Sequence, residues 1–150
     1  MMAPPEVWFS ELLIESYQRI VGAPLVPDGL GGADAARWLY ESPVCLLAQD
    51  TSPDPCFVYA NAAAQKCFEY SWDEFVGMPS RLSAEVANQQ ERQEFLNSVL
   101  EVGFARGYRG ARIAKSGRRF WVEDVTVWNL VDTGGTLHGQ AARVPRCVDA

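Results

Sequence analysis

The 150-residue chain has one histidine, His138, and four cysteines, Cys45, Cys56, Cys67 and Cys147, none in a CxxC pair. A structural zinc site draws four Cys/His ligands, usually as two close pairs, so the spacing offers none. A single imidazole also limits catalysis. Any Ser–His–Asp or Cys–His set must share His138, no G-x-S-x-G elbow is present, and haem has only this one imidazole to recruit. No apolar run approaches the ~18 residues of a membrane span, and no basic segment leads into an apolar one as in a secretory signal. Reduced thiols and a cytoplasmic location are therefore expected. Cys45, Cys56 and Cys67 read as small core residues. Acidic residues outnumber basic ones 19 to 13, a net charge of −6. That balance disfavours unspecific nucleic-acid binding, which needs cationic surface to release counterions. The basic cluster Arg106, Arg109, Arg112, Lys115, Arg118 and Arg119 lies on one hairpin, where alternation splits it across both faces. The Gly31-Gly32 pair lacks the spacing and the lysine of a phosphate loop. Neither a catalytic set nor a metal site is expected.

What is present is an ordinary globular mixture, 48% hydrophobic and 21% charged, enough for one domain with a full core. Residues 1–5 read as a frayed start. Phe9, Leu12, Leu13, Tyr17, Ile20 and Val21 follow helical spacing, and Gly22 and Pro24 stop the helix. A Gly/Pro linker to residue 32 follows, then a short helix to Glu41. Pro43–Gln49 and Cys56–Tyr59 are short strands around the turn Asp50–Pro55. Asn61–Phe68 and Ser71–Phe75 are helical, the second with Ser71 and Glu74 at capping-box spacing. Glu85–Val102 is a longer helix with Phe95, Leu96, Val99, Leu100 and Val102 facing the core. Tyr108–Lys115, Arg118–Val131 and Thr136–Val144 are strands joined by hairpin turns at Ser116-Gly117 and Asp132–Gly135. The order predicts an α+β fold: a five-stranded antiparallel sheet with helices on one face and an N-terminal amphipathic helix.

Residues 57–83, FVYANAAAQKCFEYSWDEFVGMPSRLS, look like the opening of a PAS domain, with Tyr59, Asn61, Ala62, Phe68, Tyr70, Trp72, Glu74 and Gly77 filling its pattern. Residues 115–144 resemble the PAS ending. PSRLSAE (79–85), GYRGARI (107–113), GRRF (117–120), VWNLVD (127–132) and GQAA (139–142) are more narrowly similar to the MEKHLA domain, a PAS-related family. The resemblance spans about residues 8–145. It implies an N-terminal helix and linker over 1–32, a PAS-like domain over 33–146, and a sensory or regulatory role without catalysis. The branch of PAS domains that forms a flavin adduct uses a cysteine where this chain has Ser80. A hydroxyl does not replace a thiolate there, so adduct photochemistry is not expected; non-covalent flavin stays the weaker alternative, and haem, with only His138 to recruit, is not expected as cofactor.

Strand alternation assigns faces. By similarity to PAS domains the side of Val122, Asp124, Thr126 and Trp128 turns inward, joined by Arg112, His138, Gln140 and Asn61. These are the candidate ligand-binding residues of a polar inner pocket that takes a small polar or anionic ligand; an internal Arg112–Asp124 pair would fill it instead. The outer face then carries Trp121, Val125, Val127 and Leu137, too apolar for open solvent. Either the helix of Phe9, Leu13 and Ile20 covers it or a second subunit does. A homodimer with an unidentified protein partner is expected, and the alternative function is a dimerisation module with a filled core.

Overall fold

The structure, a computed structural model, describes residues 6–150; the start at 1–5 lies outside the described residues. Helix α1 (Val7–Ile20) is followed by α2 (Gly32–Glu41), strands β1 (Cys45–Gln49) and β2 (Phe57–Ala60), and helices α3 (Ala62–Phe68) and α4 (Trp72–Phe75). A 3-10 turn at Ser80–Ser83 leads into the long helix α5 (Val86–Val102). Strands β3 (Phe104–Ile113), β4 (Arg119–Val131), β5 (Leu137–Val144) and β6 (Arg146–Asp149) complete the chain. All pairings are antiparallel, in the order β2-β1-β5-β4-β3. β6 was not foreseen. It resumes along β4 just past the end of β5, pairing Phe120–Glu123 with Arg146–Asp149. Pro145, with no N–H for the ladder, separates the two strands.

The local signals act where the sequence places them. Ser71 and Glu74 form a reciprocal capping box on α4, and the Asn61 side chain caps α3. α1 ends at Gly22, whose positive φ of 83° lets its N–H turn back to the Tyr17 and Gln18 carbonyls.

Both faces of the sheet are covered. The inner core packs Leu96 and Val99 of α5 and Phe68 and Phe75 of the short helices onto Leu47, Phe120, Val122, Val125 and Val127. The outer core packs Leu12, Leu13 and Tyr17 of α1 onto Leu46, Ala48, Trp128, Leu130 and Ala141. The cover over the apolar outer face is therefore the chain's own first helix. The Ser16 hydroxyl fixes it there, donating to the Val131 carbonyl (2.9 Å) and accepting from the Val131 N–H (3.1 Å).

The assignment of faces along β4 needs correction. Asp124 has φ 57°, and the β3–β4 register slips between Tyr108 and Gly110, which pair with Val125 and Val122. The extra residue is a β-bulge, and every side chain beyond it changes sides. Val125 and Val127, expected outside, belong to the inner core. Trp128, expected in the pocket, lies in the outer core with its ring 4.8 Å from Tyr17. Thr126 goes outward with it, and Asp124 itself is exposed. A second slip between Leu130 and Val131 displaces His138. Its Nε2 lies 2.8 Å from Asp132 Oδ2, on the side of Trp8.

Several carboxyls are held below their ordinary range. At Glu123 the cause is hydrogen bonding from Arg109 and Arg146, at Glu69 from Ser116 and Arg118, and at Asp132 from His138. At Asp50, partial burial raises the pKa, but the Ser52 hydroxyl and the Cys56 and Ser52 amides outweigh it. A carboxyl with a depressed folded-state pKa stabilises fully above its unfolded value, about 4. That contribution is lost as pH falls through the folded value. Thermal melts are expected to be flat between about pH 5 and 7 and to decline below about pH 4.5. Raising the salt should shrink the decline, because these pairs are exposed.

Candidate functional site

Between α5, the Ser80–Ser83 turn and the inner face of the sheet lies a cavity with about 60 Å³ of free volume. It has room for a few waters or a small polar molecule. Its apolar wall includes Leu47, Phe57, Leu96, Val122, Val125 and Val127, and its polar groups are Gln49, Ser83, Arg92, Tyr108, Arg112 and Gln140.

An amide chain runs along one side. Gln49 Nε2 on β1 donates to Gln140 Oε1 on β5 (3.2 Å). Gln140 Nε2 donates to the Leu96 carbonyl (3.0 Å) and to Asn129 Oδ1 (3.3 Å). Asn129 Nδ2 donates to the Val99 carbonyl of α5 (3.2 Å). At the other end, Gln49 Oε1 accepts from the Ser80 hydroxyl (2.5 Å) and from Arg92 Nη2 (3.2 Å). One network thus joins α5, the Ser80 turn and the three adjacent strands β1, β5 and β4. Such a chain of satisfied amides fixes the register of the elements it links.

Arg92 is the unusual member. It is 7% exposed, and its side-chain hydrogen bond goes to a neutral amide. Among the described residues no carboxylate pairs with it: burial and the nearby Arg112 charge push its pKa down to about 10, and the one group that opposes them is Tyr108. Arg112 also lines the cavity, with Nη1 donating to the Ala111 carbonyl (2.7 Å) and Nη2 to the Tyr108 hydroxyl (3.4 Å). The Tyr108 hydroxyl donates to Glu91 Oε1 (3.0 Å), and its ring stacks on Phe95 at 3.8 Å. Two guanidinium groups therefore face a small, mostly apolar space. A buried cation is expensive unless paired, and among the described residues Arg92 has only the Gln49 amide for a side-chain hydrogen-bond partner.

Of the residues expected to bind ligand, the structure brings Arg112, Val122 and Gln140 to the cavity. Asp124, Thr126, Trp128 and His138 stand away from it for the reasons of register given above, and no Arg112–Asp124 pair forms. Asn61 is fully buried but occupied with backbone groups of its own neighbourhood. Of the expected interface residues, Leu13 on α1 is fully buried in the core between that helix and the sheet, and Phe9 stacks on Tyr59 at 5.7 Å. Ile20 sits beside Gly103 and Leu137 is exposed. Trp121 lies under the Arg109 guanidinium at 3.7 Å.

Sequence reading missed Arg92, Gln49, Asn129 and Tyr108. The signal for Arg92 was its spacing: with Leu96 and Val99 it makes the i, i+4, i+7 stripe that α5 buries. Leu100 and Val102, read as core, are exposed. Asn129 and the valines were misplaced by one uncounted residue.

The groups that could hold a metal are thiols, Cys45, Cys67 and Cys147, whose Sγ atoms all lie within 4.8 Å of one another. No helix of the described residues is long and apolar enough to cross a membrane.

Comparison with known proteins agrees with this architecture. A family model described as the MEKHLA domain matches residues 7–147. Among solved structures, the PAS domain of a protein from Colwellia psychrerythraea is similar with a TM-score of 0.65 at 15% identity, over 77% of this chain and 92% of that one. A light-oxygen-voltage domain studied with a flavin analogue gives 0.61 at 20% identity, over 77% and 83%. An RNA-binding light-oxygen-voltage receptor gives 0.67 at 21% identity, over 85% of this chain and 35% of the receptor. At these identities the likeness establishes the fold. No curated protein matches. A flavin does not fit the cavity as arranged here: about 60 Å³ is far too small for a tricyclic ring. Ser80, where an adduct-forming cysteine would stand, is buried and bonded to Gln49.

Proposed function

Because the chain belongs to the MEKHLA domain family and has the fold of a PAS-type sensory domain, we propose that it senses a small anion, such as a short carboxylate, held by Arg92 and Arg112. The observation that carries this reading is the buried Arg92 guanidinium, which lines the cavity without a carboxylate partner. An arriving carboxylate makes charge-assisted hydrogen bonds to a donor set already stripped of water. Arg92 then no longer depends on Gln49. Since Gln49 also holds Ser80 and Gln140, its release shifts the balance between arrangements of the Ser80 turn, β1 and β5. The reading needs no catalytic step, and a reduced, cytoplasmic setting accords with four free thiols.

Thermal shift with formate, acetate and propionate tests the proposal. At about 100 times Kd, a ligand of the native state adds roughly 2.7 kcal/mol, or about 5–10 °C in Tm for a domain of this size. Arg92→Met is expected to abolish the shift while leaving the apo protein as stable or more so, because it removes a desolvated charge and keeps the packing. If Arg92→Met responds like the wild type, or no anion moves the wild type at millimolar concentration, the reading fails.

The second reading, a homodimerisation module, is favoured by Trp8 and Leu137, which remain 55% and 39% exposed after α1 has docked. Sedimentation of wild type against Trp8→Ser separates the two. A shift from dimer to monomer is its expected result, and a monomeric wild type removes it.

A further inference from the structure

Cys45, Cys67 and Cys147 come from three elements that no linear motif connects. Cys45 opens β1 and pairs across the ladder with Val144. Cys67 lies in the last turn of α3. Cys147 is in β6, opposite Val122. Their separations of 22 and 80 residues explain why the absence of a CxxC pair hid them. We propose that these three thiols form a binding site for one soft, thiophilic cation, Zn²⁺ or Cu⁺, that ties β6 to β1 and α3.

Metal–sulfur bonds of about 2.3 Å to three thiolates require sulfurs roughly 3.8–4.0 Å apart. The three Sγ atoms already lie within 4.8 Å of one another, so side-chain adjustment alone closes the site. Thiolate donors select Cu⁺ and Zn²⁺ over hard cations. Burial is graded: Cys45 is buried, Cys67 half-buried and Cys147 exposed, which gives the ion a way in. Arg118 lies against Cys67, donating to its carbonyl, and forms ion pairs with Glu69 (3.1 Å) and Asp149 (2.6 Å). Three thiolates around Zn²⁺ carry one net negative charge and three around Cu⁺ two; Arg118 lies close by but already serves Glu69 and Asp149, so the sulfur geometry is what supports the site. Binding displaces the thiol protons to solvent. It also anchors a strand whose four residues are all exposed and which the sheet holds through β4 alone.

The test uses reduced full-length protein under anaerobic conditions, titrated with Zn²⁺ or with Cu⁺ against a chelator. Cd²⁺ serves as a probe for sulfur-to-metal absorption in the ultraviolet. One ion per chain is expected, with the Cd²⁺ band. Cys67→Ser and Cys147→Ser are expected to weaken binding on the order of 100-fold, since even outer-shell groups are worth about 10–100-fold. Cys56→Ser, outside the cluster, is expected to bind like the wild type. Circular dichroism establishes that each variant is folded; Cys147 is exposed, so its variant is the decisive one. Uptake of Zn²⁺ alone or of Cu⁺ alone supports the site and identifies the ion. The proposal is overturned if reduced wild type takes up neither ion at micromolar concentration, or if Cys147→Ser and Cys67→Ser bind as tightly as the wild type. A cluster disulfide that re-forms on oxidation, with no metal uptake after reduction, overturns it in favour of a redox pair.

Discussion

Asn61→Ala is expected to lose about 3–5 kcal/mol of folding stability, read as a drop in the urea midpoint, with much of the protein unfolded at 37 °C. The side chain is fully buried and makes four hydrogen bonds to backbone. Its Oδ1 accepts from the Leu46 N–H (3.0 Å) and from the Ala64 N–H (3.1 Å), the second being the cap of α3. Its Nδ2 donates to the Leu39 carbonyl (2.9 Å) and the Val44 carbonyl (2.8 Å). Alanine leaves all four without a partner in a place water does not reach. Each orphan costs roughly 1–3 kcal/mol, partly recovered by relaxation, and lost caps alone cost about 0.5–2. Asn61→Asp is expected to be no better, because a carboxylate offers no donor to the two carbonyls and adds a buried charge. A loss below about 1 kcal/mol together with weakened anion binding would instead restore Asn61 to the ligand site, where its sequence motif first suggested it.

Gly139→Ala is expected to destabilise the fold by about 3 kcal/mol or more, from overpacking and backbone strain together. A Cβ on Gly139 would lie 1.9 Å from the Gln49 carbonyl oxygen, a backbone atom with no room to retreat, and φ is 151°. β1 and β5 must separate where Gln49 and Gln140 share a hydrogen bond. The same substitution is therefore expected to loosen the cavity network and weaken any anion-dependent shift in Tm beyond the loss of stability itself. Calorimetric unfolding of Gly139→Ala beside Gly135→Ala makes the comparison. Gly135 has φ 88° but nothing within 4 Å of its added Cβ, so it reports strain without the clash. Equal losses in the two would mean that the close approach to Gln49 contributes nothing.

Element type and order were legible because each helix and strand carries its own local signal. The capping box at Ser71, the Asn61 cap and the hairpin turns all act as their sequences imply. The face assignments failed at two irregularities, the bulge at Asp124 and the slip at His138. Alternation along β4 was counted through Asp124 as if the strand were regular, yet the apolar residues themselves record the slip. Phe120 and Val122 are two apart, as are Val125 and Val127, but the step between the pairs is three. A polar residue at that step is the mark of a bulge. Arg92 was hidden differently: a charged residue on a buried stripe reads as surface until its burial is known. β6 had no signal beyond four residues after a proline, and its pairing is made wholly by β4. The cysteine cluster is a product of tertiary structure, because β6 brings Cys147 to the other two.

The clamp between Ser16 and Val131 joins residues 115 apart in the chain. α1 precedes every strand of the sheet in the chain, yet it is among the last elements that can dock. Its seat on Trp128, Leu130 and Ala141 exists only once β4 and β5 have paired. Loop closure over such a span slows folding toward the millisecond-to-second range. Until it is complete, the chain holds a paired sheet with one greasy side open, the state in which chains associate wrongly. Trp128, which Tyr17 of α1 contacts directly, gives a native fluorescence signal for that last step, so a refolding experiment would see the helix arrive.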